Sequence, residues 1–404
     1  MSFANLQVTG NAIFQNSISA EVLRIDAGGT LNAQNAALTV NTYDNSGAAN
    51  HQTAMTVNTS FQNRAGGTFN APTVLNLKGS MTNLGTFNAG NQLVQFVGTT
   101  AQSFNCASVL DNVTLNNQAG ITMNSDLQIN GILTLVNGTF NTGSSRQVNI
   151  LNSAANAVSA SNGFVNGKLR RVLTGAQQNA AYQFPVGNLS KGKQTLNITF
   201  TSGTNATALS VIFNGSIVSN NPNATDSDGA LYNLAPLNNG YFQLIGEGGA
   251  SGTYNASVEN SGFTNAAGAN AFTLMRAGIP FNLLTGTPVA GNTANNVSRN
   301  GLSGFVNLTT ARGTCTNCRI SFAKEAIETA TNTNVMRMYP NPASDRVFLE
   351  SESQEAIPVR LMNLQGVILQ ETILQGKTEL SVQELPAGIY LLQAGSVTHR
   401  LMVK

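Results

Sequence analysis

The chain of 404 residues has no tryptophan, two histidines, three cysteines and ten prolines, and only 9% of its residues are charged. Each shortage excludes something. Two histidines cannot build a multi-histidine metal site, and neither a metal nor another cofactor is expected. Three cysteines, Cys106, Cys315 and Cys318, are too few for a disulfide framework. A net charge of +2 gives no basis for binding nucleic acid by neutralising phosphates. No run approaches the roughly 18 apolar residues of a membrane-spanning helix, so no transmembrane segment is expected. The first ten residues, MSFANLQVTG, carry neither a basic nor an apolar stretch, so no signal peptide is visible.

What is present is amide. Asparagine occurs 54 times, beside 39 glycines and many threonines and serines, while hydrophobic residues still make up 41%. That is enough apolar material for a core. The polarity is unevenly placed. Residues 1–319 hold 50 of the 54 asparagines but only 22 of the 38 charged residues, and residues 320–404 hold 4 asparagines and 16 charges. A domain boundary is expected there. The segment Lys324 to Asn334, KEAIETATNTN, lacks apolar alternation and reads as a linker spanning 323–334.

An internal repeat runs through the first part. Gly-Thr-(Leu/Phe)-Asn starts at Gly29, Gly67, Gly85 and Gly138, and weaker copies start at Gly10, Gly47, Gln102 and Gly120. The steps of 17 to 20 residues signal a stacked architecture. Leu38-Thr-Val-Asn-Thr42 returns as Met55-Thr-Val-Asn-Thr59, and Val113 to Asn116 and Ile121 to Asn124 alternate in the same way. A period of two means strand. Units of about 18 residues with short strands and Gly or Asn corners predict the coils of a parallel β-helix over 1–162, each burying its inner face against the next. Eight coils at about 4.8 Å give a rod of roughly 40 Å. Asn tolerates left-handed corners and can bond to its equivalent one coil away. Leu31, Phe69, Phe87, Phe104 and Phe140 are expected to stack as one internal apolar column. Beyond residue 162 the repeat fades. Longer alternating runs such as Gln194 to Thr201 and Leu209 to Phe213, with irregular loops, predict a β-sandwich over 163–322.

The last 70 residues carry four ordered blocks: Met338-Tyr-Pro-Asn-Pro-Ala-Ser-Asp345, Val359 to Val367, Leu385-Pro-Ala-Gly-Ile-Tyr-Leu-Leu392, and His399 to Lys404. Pro340 and Pro342 fix an extended entry. Gly366 marks a hairpin turn, and Pro386 to Gly388 a turn into a strand. These features predict a small Ig-like β-sandwich. The four blocks resemble the type A C-terminal sorting domain of type IX secretion, found in Bacteroidetes. The resemblance covers 335–404 and implies Tyr339, Pro340, Asn341, Pro342, Gly366, Pro386, Gly388, Tyr390 and Lys404 as the export signal. It also implies the secretion machinery as partner, surface lipopolysaccharide or glycans as further partners, and a cell-surface or extracellular location. Such cargo first crosses the inner membrane by a signal peptide, so the precursor is expected to have an N-terminus that this sequence lacks. Leu110 to Asn117, Leu133 to Asn141 and Tyr182-Gln-Phe-Pro-Val-Gly187 resemble β-helix and sandwich passengers often found before that domain.

Catalytic candidates are sparse. Glycan cleavage needs paired carboxylates, or carboxylates with a cation. The predicted solenoid offers Glu21, Asp26, Asp44, Asp111 and Asp126, with Arg24, Arg64, Lys78 and Arg146 as its bases. Convergence of Glu21, Asp26 and Asp44 in a cleft would favour a glycan-processing enzyme, the alternative reading. A Ser-His-acid triad would have to recruit His51, since His399 lies in the last domain. Asp226-Ser-Asp228-Gly229 resembles the start of a calcium loop but lacks the later ligands, and reads as a turn. Cys315-Thr-Asn-Cys318 is a lone CxxC, which export would turn into a local disulfide. Cys106 reads as a buried small hydrophobe. Lys168, Arg170, Arg171, Lys191 and Lys193 form a basic cluster that either meets anionic glycans or guards a strand edge, the second being favoured. Stacked threonines such as Thr39 and Thr56 suggest ice binding, ranked below adhesion. The reading is an all-β, exported structural or adhesin-like protein with no catalytic residues. Alternatively, the passenger is cargo recognised by the secretion machinery alone.

Overall fold

In a computed structural model, the chain is described over residues 2–216, 221–225, 231–269, 271–277, 282–284, 286–313, 336–351, 356–364, 367–394 and 397–404. The Asp226 to Gly229 turn, Cys315, Cys318, the 323–334 linker and Gly366 lie outside these residues. The chain divides into two compact units, Met1–Phe322 and Ala323–Lys404.

Alternation of apolar and polar residues builds the first unit. Its N-terminal region is a β-solenoid of about 9 turns. Strands Ile18–Ile25, Leu38–Asn45, Met55–Asn63, Val74–Leu77, Leu93–Phe96, Asn112–Met123, Leu133–Asn141 and Val158–Ala160 pair in parallel, each with the next. The register stacks like on like. Val40, Val57, Leu77, Phe96, Leu115 and Leu135 form one inward row, all fully buried. The outward row one residue earlier is Ser19, Thr39, Thr56, Asn76, Gln95, Thr114, Thr134 and Ser159. None of these eight is buried. Burying the inner rows contributes roughly 1.5–3 kcal/mol per large side chain, which no single coil could gain alone.

The Gly-Thr-Phe-Asn copies do not form one column. Leu31, Ala49, Phe69 and Phe87 stack in a separate parallel sheet of Asn11–Phe14, Thr30–Ala33, Ala48–His51, Thr68–Asn70 and Thr86–Asn88. Phe104 instead lies beside Met81 and Met123 in the first sheet, and Phe140 beside Ile121. All five expected residues are buried, but in three ladders on two sheets. The reason is local chemistry. The motif specifies a strand leaving a tight glycine corner, and coils contain more than one such corner. At Gly67 an added Cβ would sit 2.6 Å from Asn63 Oδ1 and 2.8 Å from the Asn45 carbonyl oxygen. Glycine is required there by close approach of the neighbouring coil.

Parallel pairing continues past residue 162, where Phe164–Asn166 joins Leu133–Asn141 and Lys168–Val172 joins Gln147–Ile150. Beyond these two strands the sheets turn antiparallel, one of them only after Ala181–Asn188 has paired in parallel with Phe164–Asn166. One runs on through Ala181–Asn188, Gly192–Phe200, Thr253–Glu259 and Asn296–Ser303. The other runs through Ala206–Asn214, Tyr241–Gly248 and Leu308–Gly313. A single apolar core extends from Val8 to Leu308.

The second unit has its own core, including Val347, Leu349, Val359, Leu361, Tyr390, Leu392 and Leu401. It lies between a three-stranded antiparallel sheet (Met336–Tyr339, Arg346–Ser351, Lys377–Ser381) and a four-stranded one, in the order Ile368–Leu374, Ile357–Met362, Gly388–Ala394, Val397–Val403.

Candidate functional site

In the second unit Asn341, Gly388, Tyr390 and Lys404 lie on or beside the last strand, whereas Tyr339 pairs with Phe348 in the other sheet. Asn341 clamps that strand from the side: its Nδ2 donates to the Arg400 carbonyl at 2.8 Å and its Oδ1 accepts from the Met402 amide at 2.8 Å. Ala343 donates to the Met402 carbonyl and accepts from the Lys404 amide, both at 2.8 Å. Met338-Tyr-Pro-Asn-Pro and the terminal block are thus one structural feature, although about 60 residues separate them. Prolines suit the entry because they leave no unpaired N–H beside the strand. Tyr339 is partly exposed; its hydroxyl donates to Glu350 at 3.0 Å and its ring lies beneath Lys377 Nζ at 5.5 Å. Tyr390 is buried and its hydroxyl donates to the Pro386 carbonyl at 2.7 Å, tying the turn to the strand it starts. Gly388 has no steric need to be glycine, since an added Cβ would meet only ordinary contacts at 3.8 and 3.9 Å. One feature was missed in the sequence. Edge strand Ile368–Leu374 leaves Ile368, Leu369 and Ile373 exposed, with Leu364 and Val367 just before it.

Among the described residues of the first unit, each acid of the solenoid is bonded to a partner of its own. Asp26 accepts from Gln7 at 2.6 Å and from Arg24 at 2.8 Å, and these bonds hold its carboxyl below the usual range. Asp44 is paired with Arg64 at 2.5 Å, Glu21 accepts from Asn41, Asp111 from Asn112 and Asp126 from the Gln147 amide. No group of three metal-binding side chains occurs among the described residues. His51 is buried against Tyr43, whose hydroxyl lies 3.0 Å from Nε2. Burial lowers its pKa to about 3, so it is neutral and packed among Tyr43 and Phe69. Cys106 is buried, free and pushed up in pKa by burial.

The basic cluster is dispersed by the fold. Arg170 pairs with Glu247 at 2.6 Å, an acid 77 residues away that the local sequence could not reveal. Lys191 and Lys193 donate to the carbonyls of Asn238 and Ser161. Arg171 is fully buried: it donates to the carbonyls of Ala154, Ala155 and Gln183 at 2.7 to 3.1 Å and lies over the Tyr182 ring. Burial lowers its pKa to about 10, leaving it charged at neutral pH. It joins the last coil to the first antiparallel hairpin.

The amides form ladders. Asn45 donates to Asn63 and Asn63 to Asn83, both at 2.7 Å, within the interior. Asn50 donates to Asn32, Asn70 to Asn50 and Asn88 to Asn70 in a second, more open ladder. A third outward row, Ser103, Thr122, Asn141 and Asn166, continues Thr42, Ser60 and Ser80 of earlier coils. Among the described residues no helix is long and apolar enough to cross a membrane.

Residues 337–404 match the family described as secretion system C-terminal sorting domain. No curated protein and no solved structure matches the chain. A sorting domain of this kind marks type IX secretion cargo, which meets the type IX machinery and is carried across the outer membrane to the cell surface or the extracellular space.

Proposed function

We propose that the first unit is a structural or adhesive passenger that binds glycan chains at the cell surface. The observation behind this is the uncharged outward row from Ser19 to Ser159. It repeats a hydroxyl or amide once per coil, at about 4.8 Å spacing. Such groups both donate and accept, as sugar hydroxyls do. The two antiparallel sheets of 163–322 are best assigned as a sandwich that closes one end of the rod. The exposed edge strand Ile368–Leu374 is the favoured surface for the secretion machinery, since its strand edge and apolar side chains can be covered by a partner strand. Attachment to lipopolysaccharide, rather than release, suits an adhesive role. A glycan-processing enzyme ranks second, because each acid of the solenoid is bound to a different partner.

The test is retention of the purified full chain on immobilised polysaccharides. Gln95→Lys with Thr114→Lys puts two charges in the middle of the row. Loss of retention in that variant supports the reading. Unchanged retention, or no retention of the native chain on any polysaccharide, overturns it.

A further inference from the structure

A groove of about 570 Å³ opens at the end of the third outward row. Thr122, Asn141 and Asn166, in register on three successive coils, line it together with Asn124, Arg146 and Leu189. Three features set it apart from the rest of the solenoid surface.

First, one of its side-chain amides keeps its donors unspent. Asn141 Oδ1 accepts from Asn166 Nδ2 at 2.9 Å and from Thr139 Oγ1 at 3.3 Å, while the Asn141 amide N–H groups have no acceptor among the described residues. Second, Arg146 is exposed and without an acid partner among the described residues, whereas Arg24, Arg64 and Arg170 each hold a carboxylate. No aspartate or glutamate lines the groove, and the carboxylate beside it, Asp126, is bonded to the Gln147 amide at 3.1 Å rather than to the guanidinium. Third, Leu189 is 68% exposed at its margin. A rigid polar floor, a free guanidinium fork and an apolar lip suit a sugar ring that carries an acid. The fork takes a carboxylate through two parallel bonds, the amides take hydroxyls, and leucine meets a C–H face. With no acid or neutral imidazole in the groove there is no group to transfer a proton, so the site binds and does not cleave.

We propose that this groove binds carboxylate-bearing glycans, with Arg146 as the residue that selects the charge. The proposal rests on the glycan-binding reading above and deepens it.

The test is calorimetric titration of the full chain with oligogalacturonate, with a neutral galactose oligomer of similar length and with a sulfated oligosaccharide. Oligogalacturonate is expected to bind best, and Arg146→Ala to weaken it by roughly tenfold or more, the usual scale for a charge-assisted hydrogen bond. Arg146→Lys, which keeps charge but loses the fork, is expected to fall between. Lys78→Ala, an exposed cation elsewhere on the solenoid, is expected to leave binding unchanged. Equal loss in Lys78→Ala and Arg146→Ala would mean general charge attraction and overturn the site. So would Arg146-dependent binding of the sulfated oligomer alone. Binding of neutral oligomers that ignores Arg146, without oligogalacturonate binding, would remove this groove but leave the glycan reading standing. No binding of any oligomer here and no retention on polysaccharides would remove both.

Discussion

The two units satisfy their polar groups in opposite ways. In the solenoid, amides bond to amides: Asn45, Asn63 and Asn83 inside, Asn32, Asn50, Asn70 and Asn88 on another sheet. In the sorting domain, arginines bond to glutamates: Arg346 to Glu379 and Arg360 to Glu371, both at 2.8 Å. The strand direction explains the difference. Parallel in-register stacking sets the same position of the repeat against itself about every 4.8 Å. An amide both donates and accepts, so it can stack on its own kind. A charge stacked on its own kind repels it. Antiparallel pairing sets different positions side by side, as with Arg360 against Glu371, so opposite charges are available. The scarcity of charge in the coils, 9 charged residues in 1–162, suits parallel stacking. Where the solenoid does use charge, the register row alternates: Gln7, Arg24, Asp44, Gln62.

This contrast can be broken most sharply at Arg171. Arg171→Met leaves three carbonyls unpaired at the junction and is expected to cost about 3–5 kcal/mol. Arg346→Met removes half of an exposed pair and is expected to cost less than about 1 kcal/mol. Denaturant unfolding followed by hydrogen exchange in each unit separates the two.

The ladders sharpen it further. Asn63→Ala removes an amide that is fully buried and bonded on both sides, and should cost about 2–3 kcal/mol, read as faster exchange across residues 38–83. Asn88→Ala, at the exposed end of the other ladder, should cost about 0.5 kcal/mol or less.

His51 gives the first unit a pH dependence. In the folded chain it stays neutral down to about pH 3, whereas an unfolded histidine takes up a proton near pH 6.5. Stability is therefore complete above about 6.5 and declines as pH falls from there toward 3. His51→Gln, which keeps a partner for the Tyr43 hydroxyl and does not titrate, should flatten that slope. Asn341→Ala in the sorting domain loses two exposed strand-clamping bonds and is expected to cost about 1 kcal/mol, seen as faster exchange in residues 398–404.

The period of the repeat and the alternation of each strand were legible, because burial in a stack acts on every coil alike. The phase was not. Phe69 and Phe140 sit in identical Gly-Thr-Phe-Asn motifs yet in different ladders, and only coil-to-coil pairing decides between them. The sorting domain was legible because its four blocks keep their order and each marks a local turn or strand. The fate of Arg170 was hidden because Glu247 is 77 residues away, and that of Arg171 because its partners are backbone carbonyls that no residue type marks. The groove was hidden because Asn141 and Asn166 meet only through register.

Export by the C-terminal unit is tested most directly by deleting residues 337–404 and locating the remaining chain in its own host. Loss of the passenger from the cell surface and medium, with accumulation inside the outer membrane, is expected. Passenger arriving outside the cell in undiminished amount without those residues would contradict it.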